Sequence, residues 1–193
     1  MENPINKYFG STKKFVWEVA KVVVISLAII IPIRYFVVQP FYVKGASMEP
    51  NFYDYEYLII DELSYRFNDP ARGEVIVLKD PRNTRQYFIK RIIGLPGETV
   101  EVKDGEIKIN NDDFEESKLL DEMFYLENIK TGGDIKVKLE ADEYFILGDN
   151  RSASLDSRVF GAINEDEIIG RVWLRAWPFT RVKHFEPFEY NFK

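Results

Sequence analysis

A chain of 193 residues, 46% of them apolar and 15% aromatic, can build one well-packed domain with an appendage but has no room for two independent enzymatic domains. Its 26 basic and 32 acidic residues give a net charge of −6, and no basic stripe dominates any long segment, so nucleic acid is not an expected partner. The absence of cysteine rules out disulfides, thiol catalysis, iron–sulfur clusters and Cys-ligated zinc, and a single histidine, His184, argues against a His-rich metal site; no metal or cofactor is expected.

The first predicted element is a helix over residues 15–38, FVWEVAKVVVISLAIIIPIRYFVV, about 24 residues and roughly 36 Å long at ~1.5 Å per residue, enough to span a bilayer. Its strictly uncharged run is shorter, Val22 to Ile33, which places Glu18, Lys21 and Arg34 near the interfaces with the two basic side chains snorkelling outward. A cleaved secretory signal and a buried core helix are the alternatives, and the first finds no small-x-small site after the run. Lys7, Lys13 and Lys14 precede the helix, so the positive-inside rule keeps residues 1–14 in the cytoplasm and sends residues 39–193 across. The expected location is therefore the cytoplasmic membrane, single-pass, with the lipid bilayer as a partner and the bulk of a monomeric protein outside the cytoplasm. Helical periodicity then gives way to short runs rich in β-branched and aromatic residues, bounded by Gly, Pro, Asn or Asp. Strands are predicted at 37–43, 56–61, 74–78, 87–93, 99–102, 106–109, 135–139, 143–147 and 170–177, an all-β domain built as a barrel or as coiled sheets. Asp104-Gly105 is the strongest hairpin signal, because the pair tolerates the positive φ of a tight turn. Residues 104–142 look like a variable insertion whose acidic part, Asn110 to Glu116, lacks EF-hand spacing and reads as a solvated surface.

Three clusters can carry chemistry. In Gly45-Ala46-Ser47-Met48-Glu49-Pro50 a serine follows a strand, but Glu49 replaces the second glycine of a nucleophile elbow, so activation must come from elsewhere or Ser47 is a turn residue. On the strand 87–93, Lys90 shares a face with Phe88 and Ile92, a setting that would desolvate its ammonium and lower its pKa. Arg91 is equally flanked by Ile89 and Ile93, and alternation alone leaves open whether Lys90 or Arg91 snorkels to the surface from an edge strand. The third cluster, Gly148 to Arg158, is a capped turn with local ion pairs or a supporting shell in which a hydroxyl orients the lysine and an Asp–Arg pair fixes the loop.

Together the clusters resemble, in order, the signature boxes of type I signal peptidases, the bacterial leader peptidases: Gly45-x-Ser47-Met48-x-Pro50, Arg72-Gly73-Glu74-Val75, Lys90-Arg91-Ile92-Ile93-Gly94-Leu95-Pro96-Gly97, and Gly148-Asp149-Asn150-Arg151 with Ser154-x-Asp156-Ser157-Arg158. The resemblance implies a membrane-bound serine endopeptidase with a Ser-Lys dyad, Ser47 as nucleophile and Lys90 as general base. It implies further that Ser154 positions the lysine, that Asp156, Arg158, Asp149 and Arg91 support the loop, and that the substrates are signal peptides of exported preproteins, cut after small-x-small sites. Val43, Met48, Phe88 and Ile89 match pocket positions of the family and read otherwise as core residues. The oxyanion would be held by the Ser47 N–H, while Gly45 stands where some relatives place a second, hydroxyl donor. Nine residues separate Val38 from Ser47, which at ~3.3–3.6 Å each keeps the nucleophile within roughly 30 Å of the bilayer exit.

Two other readings remain at this stage. A cytoplasmic self-cleaving repressor-type peptidase also uses Ser and Lys, but the predicted helix counts against it. A catalytically silent, membrane-tethered binding module is not excluded. Ser11-x-x-Lys14 and Lys130-Thr131-Gly132 do not make a penicillin-recognising enzyme: no Ser-x-Asn occurs and the chain is too short.

Overall fold

The computed structural model describes residues 4–36, 38–111, 116–127, 129–186 and 192, with side chains in the first helix described from 13 to 31. The chain divides into two compact units, Met1–Val38 and Gln39–Lys193. The first is a single helix, α1 (Pro4–Phe36), longer than the apolar run because Lys13 and Lys14 are good helix formers and no glycine or proline interrupts residues 11–31. Its described apolar side chains, Phe15 to Ile31, are almost all exposed. Among the described residues no helix is long and apolar enough to cross a membrane; Lys13, Lys14, Glu18 and Lys21 interrupt the described stretch.

The second unit is mainly β. Strands β1 (Val38–Tyr42), β2 (Tyr57–Asp61), β3 (Val75–Asp80), β4 (Asn83–Gly94), β5 (Thr99–Lys103), β6 (Glu106–Asn110), β7 (Lys118–Leu119), β8 (Ile135–Lys138), β9 (Glu143–Leu147), β10 (Ile163–Asn164), β11 (Ile168–Trp177) and β12 (Lys183–His184) are joined by loops and one short helix, α2 (Ser157–Phe160). They form two sheets rather than one barrel: β1-β2-β11-β3-β4-β9-β10 with β12 against β11, and β7-β6-β5-β8. In β3 the run Val75-Ile76-Val77-Leu78 is buried on both faces. Alternation sends Val75 and Val77 into a core with Val43, Met48, Phe52, Leu58 and Val172, and Ile76 and Leu78 into another with Ile92, Tyr144, Ile146 and Ile163. A strand apolar on both sides belongs inside a sheet, which is where β3 lies.

The smaller sheet has one wet face. β6 reads exposed-buried-exposed, with Ile107 and Ile109 inward beside Val100, Val102, Leu120, Phe145 and Leu147. Its hairpin turns at Asp104 (φ 55°) and Gly105 (φ 89°), the two positive φ values that an Asp-Gly turn accommodates. The segment expected to be an insertion thus supplies three of the four strands of this sheet; residues 112–115 of its acidic stretch lie outside the described residues.

Candidate active site

The loop after β1 is built from consecutive turns. Val43 N–H donates to Glu56 O at 2.9 Å and Tyr55 N–H to Val43 O at 3.1 Å, closing the loop at its base. Inside it, Phe52 N–H bonds Met48 O at 2.9 Å, and the Met48 and Phe52 side chains, 1% and 0% exposed, anchor the turn in the core. Gly45 N–H is held by Asp54 Oδ1 at 2.9 Å, and Gly45 takes φ 95°, a left-handed conformation that suits glycine.

Against this loop stands β4. Its register puts Lys90 opposite Ile76 and Phe88 opposite Leu78, so Lys90 rises from an apolar face. The side chain is 2% exposed, and Nζ lies 2.9 Å from Ser47 Oγ, to which it donates, and 2.8 Å from Ile89 O, to which it also donates. Burial lowers its pKa to about 8, because water no longer solvates the ammonium; the charges of Asp156 and Asp149 offset part of that effect. Arg91, one residue on, is also buried and does not snorkel. Its guanidinium grips Asp149 with Nε at 2.8 Å and Nη2 at 2.6 Å, reaches Gly73 O at 2.8 Å, and lies 4.2 Å from the Tyr125 ring centroid. The edge-strand alternative therefore fails: β4 lies between β3 and β9, and both side chains are buried, 2% and 5% exposed.

Asp149 joins the two halves of the site. Besides Arg91 it accepts Asn51 Nδ2 at 2.8 Å, and its own N–H points at Met48 Sδ at 3.4 Å, so one carboxylate binds the strand of Lys90 to the loop of Ser47. Asp156 caps α2 and accepts Gly148 N–H at 3.0 Å and Arg158 Nε and Nη2, each at 2.8 Å. Burial alone would raise its pKa, but the Arg158 and Gly148 hydrogen bonds outweigh it and hold the carboxyl below the usual range. Asn150, in the same loop, donates its N–H to Ser47 O at 3.0 Å and its side-chain amide to Ala46 O at 3.0 Å.

Ser154 stands close by without the contact the resemblance implies. Lys90 Nζ bonds Ser47 and Ile89, whereas the buried Ser154 Oγ has no hydrogen-bond partner among the described residues. It packs on Gly148 so tightly that a Cβ there would sit 2.1 Å from Ser154 Oγ and 2.5 Å from Ser47 O. Of the four pocket residues, Val43, Phe88 and Ile89 line a cavity of about 90 Å³ together with Ser47 and Lys90. Met48 does not; its side chain is spent in the core. A larger cavity, about 210 Å³, is lined by Arg91, Tyr125, Arg171 and His184 and by neither Ser47 nor Lys90. The lone histidine is there, 3.5 Å from Glu186.

Sequence reasoning missed Ile89 O, Asn51 and Asn150. The first is a main-chain atom; Asn51 had no signal beyond following the first box directly, and Asn150 none beyond lying in the last.

Comparison with known proteins identifies the family. The family model described as signal peptidase, peptidase S26, matches residues 16–177. A Synechocystis protein named "Probable signal peptidase I-2" is 38% identical over 86% of this chain and 75% of its own. Signal peptidase I of Leptolyngbya laminosa is 36% identical over 88% and 84%, and signal peptidase IB of Staphylococcus aureus (strain COL) 32% over 91% and 97%. A crystal structure of a signal peptidase I from Enterococcus faecalis V583 covers 54% of this chain and 97% of its own at 32% identity, with a TM-score of 0.45.

Proposed function

This chain belongs to the signal peptidase family, peptidase S26, and is a serine peptidase; on that premise we propose that it removes signal peptides from exported preproteins through an acyl-enzyme formed on Ser47 with Lys90 as general base. The observation that carries the dyad is the 2.9 Å approach of a fully buried lysine amine to a serine hydroxyl. With its pKa near 8, a useful share of Lys90 is neutral at physiological pH. A neutral amine keeps one lone pair; with one N–H spent on Ile89 O, the 2.9 Å contact reverses when that pair faces Ser47 Oγ, and the serine O–H then donates to it.

In the proposed first step Ser47 Oγ attacks the scissile carbonyl while its proton passes to Lys90 Nζ. Collapse of the tetrahedral species breaks the C–N bond, and the lysine returns the proton to the leaving amine. Water then attacks the ester with the same lysine as base, freeing Ser47. Such proton transfer is worth ~10²–10⁴ in rate. The narrow apolar cavity beside the dyad favours small side chains and supports cleavage after small-x-small sites.

We place the protein in the cytoplasmic membrane, with its single span in α1 from residue 15 onward and the second unit outside the cytoplasm. Support comes from the apolar side chains of Phe15 to Ile31, which stand exposed. Incubating the full chain in detergent with a preprotein tests the function: Ser47→Ala and Lys90→Ala should each abolish release of the signal peptide. Unchanged cleavage by either variant removes the dyad, and no cleavage by the unaltered chain leaves the silent binding module.

A further inference from the structure

Removing the Ser47 proton is half of the chemistry; the carbonyl oxygen that turns negative must also meet a donor. Gly45 carries no hydroxyl and its N–H is engaged by Asp54, which leaves the N–H of Ser47. Among the described residues that N–H donates to no acceptor. Its direction is set by the Ala46–Ser47 peptide, a planar trans unit whose N–H points opposite to its C=O. Whatever fixes the Ala46 carbonyl therefore aims the Ser47 N–H.

Two groups fix it. Glu49 N–H donates to Ala46 O at 3.2 Å from within the turn, and Asn150 Nδ2 donates to the same oxygen at 3.0 Å from the far loop. Asn150 also holds the next carbonyl, Ser47 O, through its main-chain N–H at 3.0 Å. The two peptides that flank the nucleophile are thus clamped by one residue. Ser152 Oγ, 3.0 Å from Asn150 Oδ1, donates to that oxygen and so keeps the NH2 end of the amide turned to Ala46.

We propose that Asn150 is a positioning residue for the oxyanion: by holding Ala46 O and Ser47 O it aims the Ser47 N–H at the substrate's carbonyl oxygen. This rests on the reading of Ser47 as nucleophile. Asn150 touches no reacting atom and leaves the lysine alone, so its removal acts on kcat and not on the pH at which Lys90 loses its proton. Where an oxyanion donor is deleted outright the loss is ~10²–10³ in kcat; a donor that remains but wanders should lose about 10- to 100-fold.

The decisive variant is Asn150→Leu, which keeps roughly the size and the main-chain bond, removes the Nδ2 donor to Ala46 O and adds no charge beside Lys90. In the full chain in detergent, on a peptide with a small-x-small site, kcat should fall about 10- to 100-fold with KM within about twofold and the apparent pKa unmoved. A peptide aldehyde supplies the second readout. Ser47 Oγ bonds to its carbonyl carbon as the C=O π bond opens and the serine proton goes to Lys90, leaving an oxyanion; its affinity should weaken by the same factor as kcat/KM. An uncleavable peptide that forms no oxyanion should bind both proteins equally. If Asn150→Leu does not fold, Ser152→Ala, which frees the amide without removing it, should lower kcat about two- to fivefold at constant KM. Wild-type kcat in the variant that folds, or equal weakening of aldehyde and uncleavable peptide, overturns the proposal. Cleavage surviving in Ser47→Ala or Lys90→Ala instead overturns the dyad on which it rests.

Discussion

Between Phe88 and Ile92 along its strand and Ile76 across from it, the Lys90 ammonium has exchanged water for hydrocarbon, and the fall of its pKa to about 8 follows. Only the neutral amine can take a proton, so kcat/KM should climb about tenfold per pH unit below 8 and level off above it, as a pH–rate profile on a peptide substrate would record. A profile flat from pH 6 to 10 would contradict the assignment. The same burial acts on stability. The unfolded chain holds this proton up to about pH 10.5 and the folded chain only up to about 8, so the unfolded state binds more protons between those values and stability grows as pH rises through that window. Below it the cost is present in full, roughly 3 kcal/mol at ~1.4 kcal/mol per pH unit. Lys90→Met, which keeps most of the volume, should therefore be inactive yet more stable at pH 7 by up to about 3 kcal/mol, read from urea unfolding in detergent. Ser154 offers the opposite contrast: among the described residues its buried hydroxyl has no partner in hydrogen-bond geometry, though it lies near enough to Asp156 to help hold that carboxyl down, so Ser154→Ala should change stability by no more than about 1 kcal/mol. If the hydroxyl positions the lysine, that variant loses activity despite its stability; a wild-type pH–rate profile would remove Ser154 from that role.

At the scale of elements, β4 puts a lysine on one face and an arginine on the other, and the loop after β9 answers both, Asn150 at the Ser47 loop and Asp149 at Arg91. The Arg91–Asp149 pair is nearly dry, with side chains 6% and 0% exposed, so Asp149→Ala would strand a buried guanidinium and should destabilise by about 3–5 kcal/mol in chemical denaturation. A loss under 1 kcal/mol would show that water enters and the pair is not structural. Much of this scaffold was legible in the sequence. Alternation marked the main strands to within a few residues, and Asp104-Gly105 marked the hairpin. β7, β10 and β12, of two residues each, and the four-residue α2 were not, because so few residues carry no period. The site was legible only in part, since Lys90 and Arg91 have equivalent neighbours in the chain. What separates them is the partner each meets 43 and 58 residues away, and no local pattern contains that. Met48 went astray for the same reason: an apolar residue beside the nucleophile fits a pocket wall and a core anchor equally well until the fold is known.

For the whole molecule the two units pose different solvent problems. The second buries apolar residues in three clusters of its own, whereas α1 leaves the apolar side chains from Val22 to Ile31 exposed. If lipid covers them, the full chain should stay with the membrane pellet after alkaline carbonate extraction; release into the supernatant would remove the span. The net charge of −6 argues that high salt alone should not detach it, as it would a protein held by basic patches. With Lys90 as the proposed base, the alternation along β4 also makes catalysis a gauge of folding fidelity. A slip of one residue in its pairing would exchange the two faces and set Arg91 beside Ser47, and a guanidinium does not give up its proton at any pH a cell meets. Such a misregistered molecule would be compact and permanently unreactive. The fraction of a preparation that a serine-directed acylating reagent can label is then a count of the chains that have paired this strand correctly.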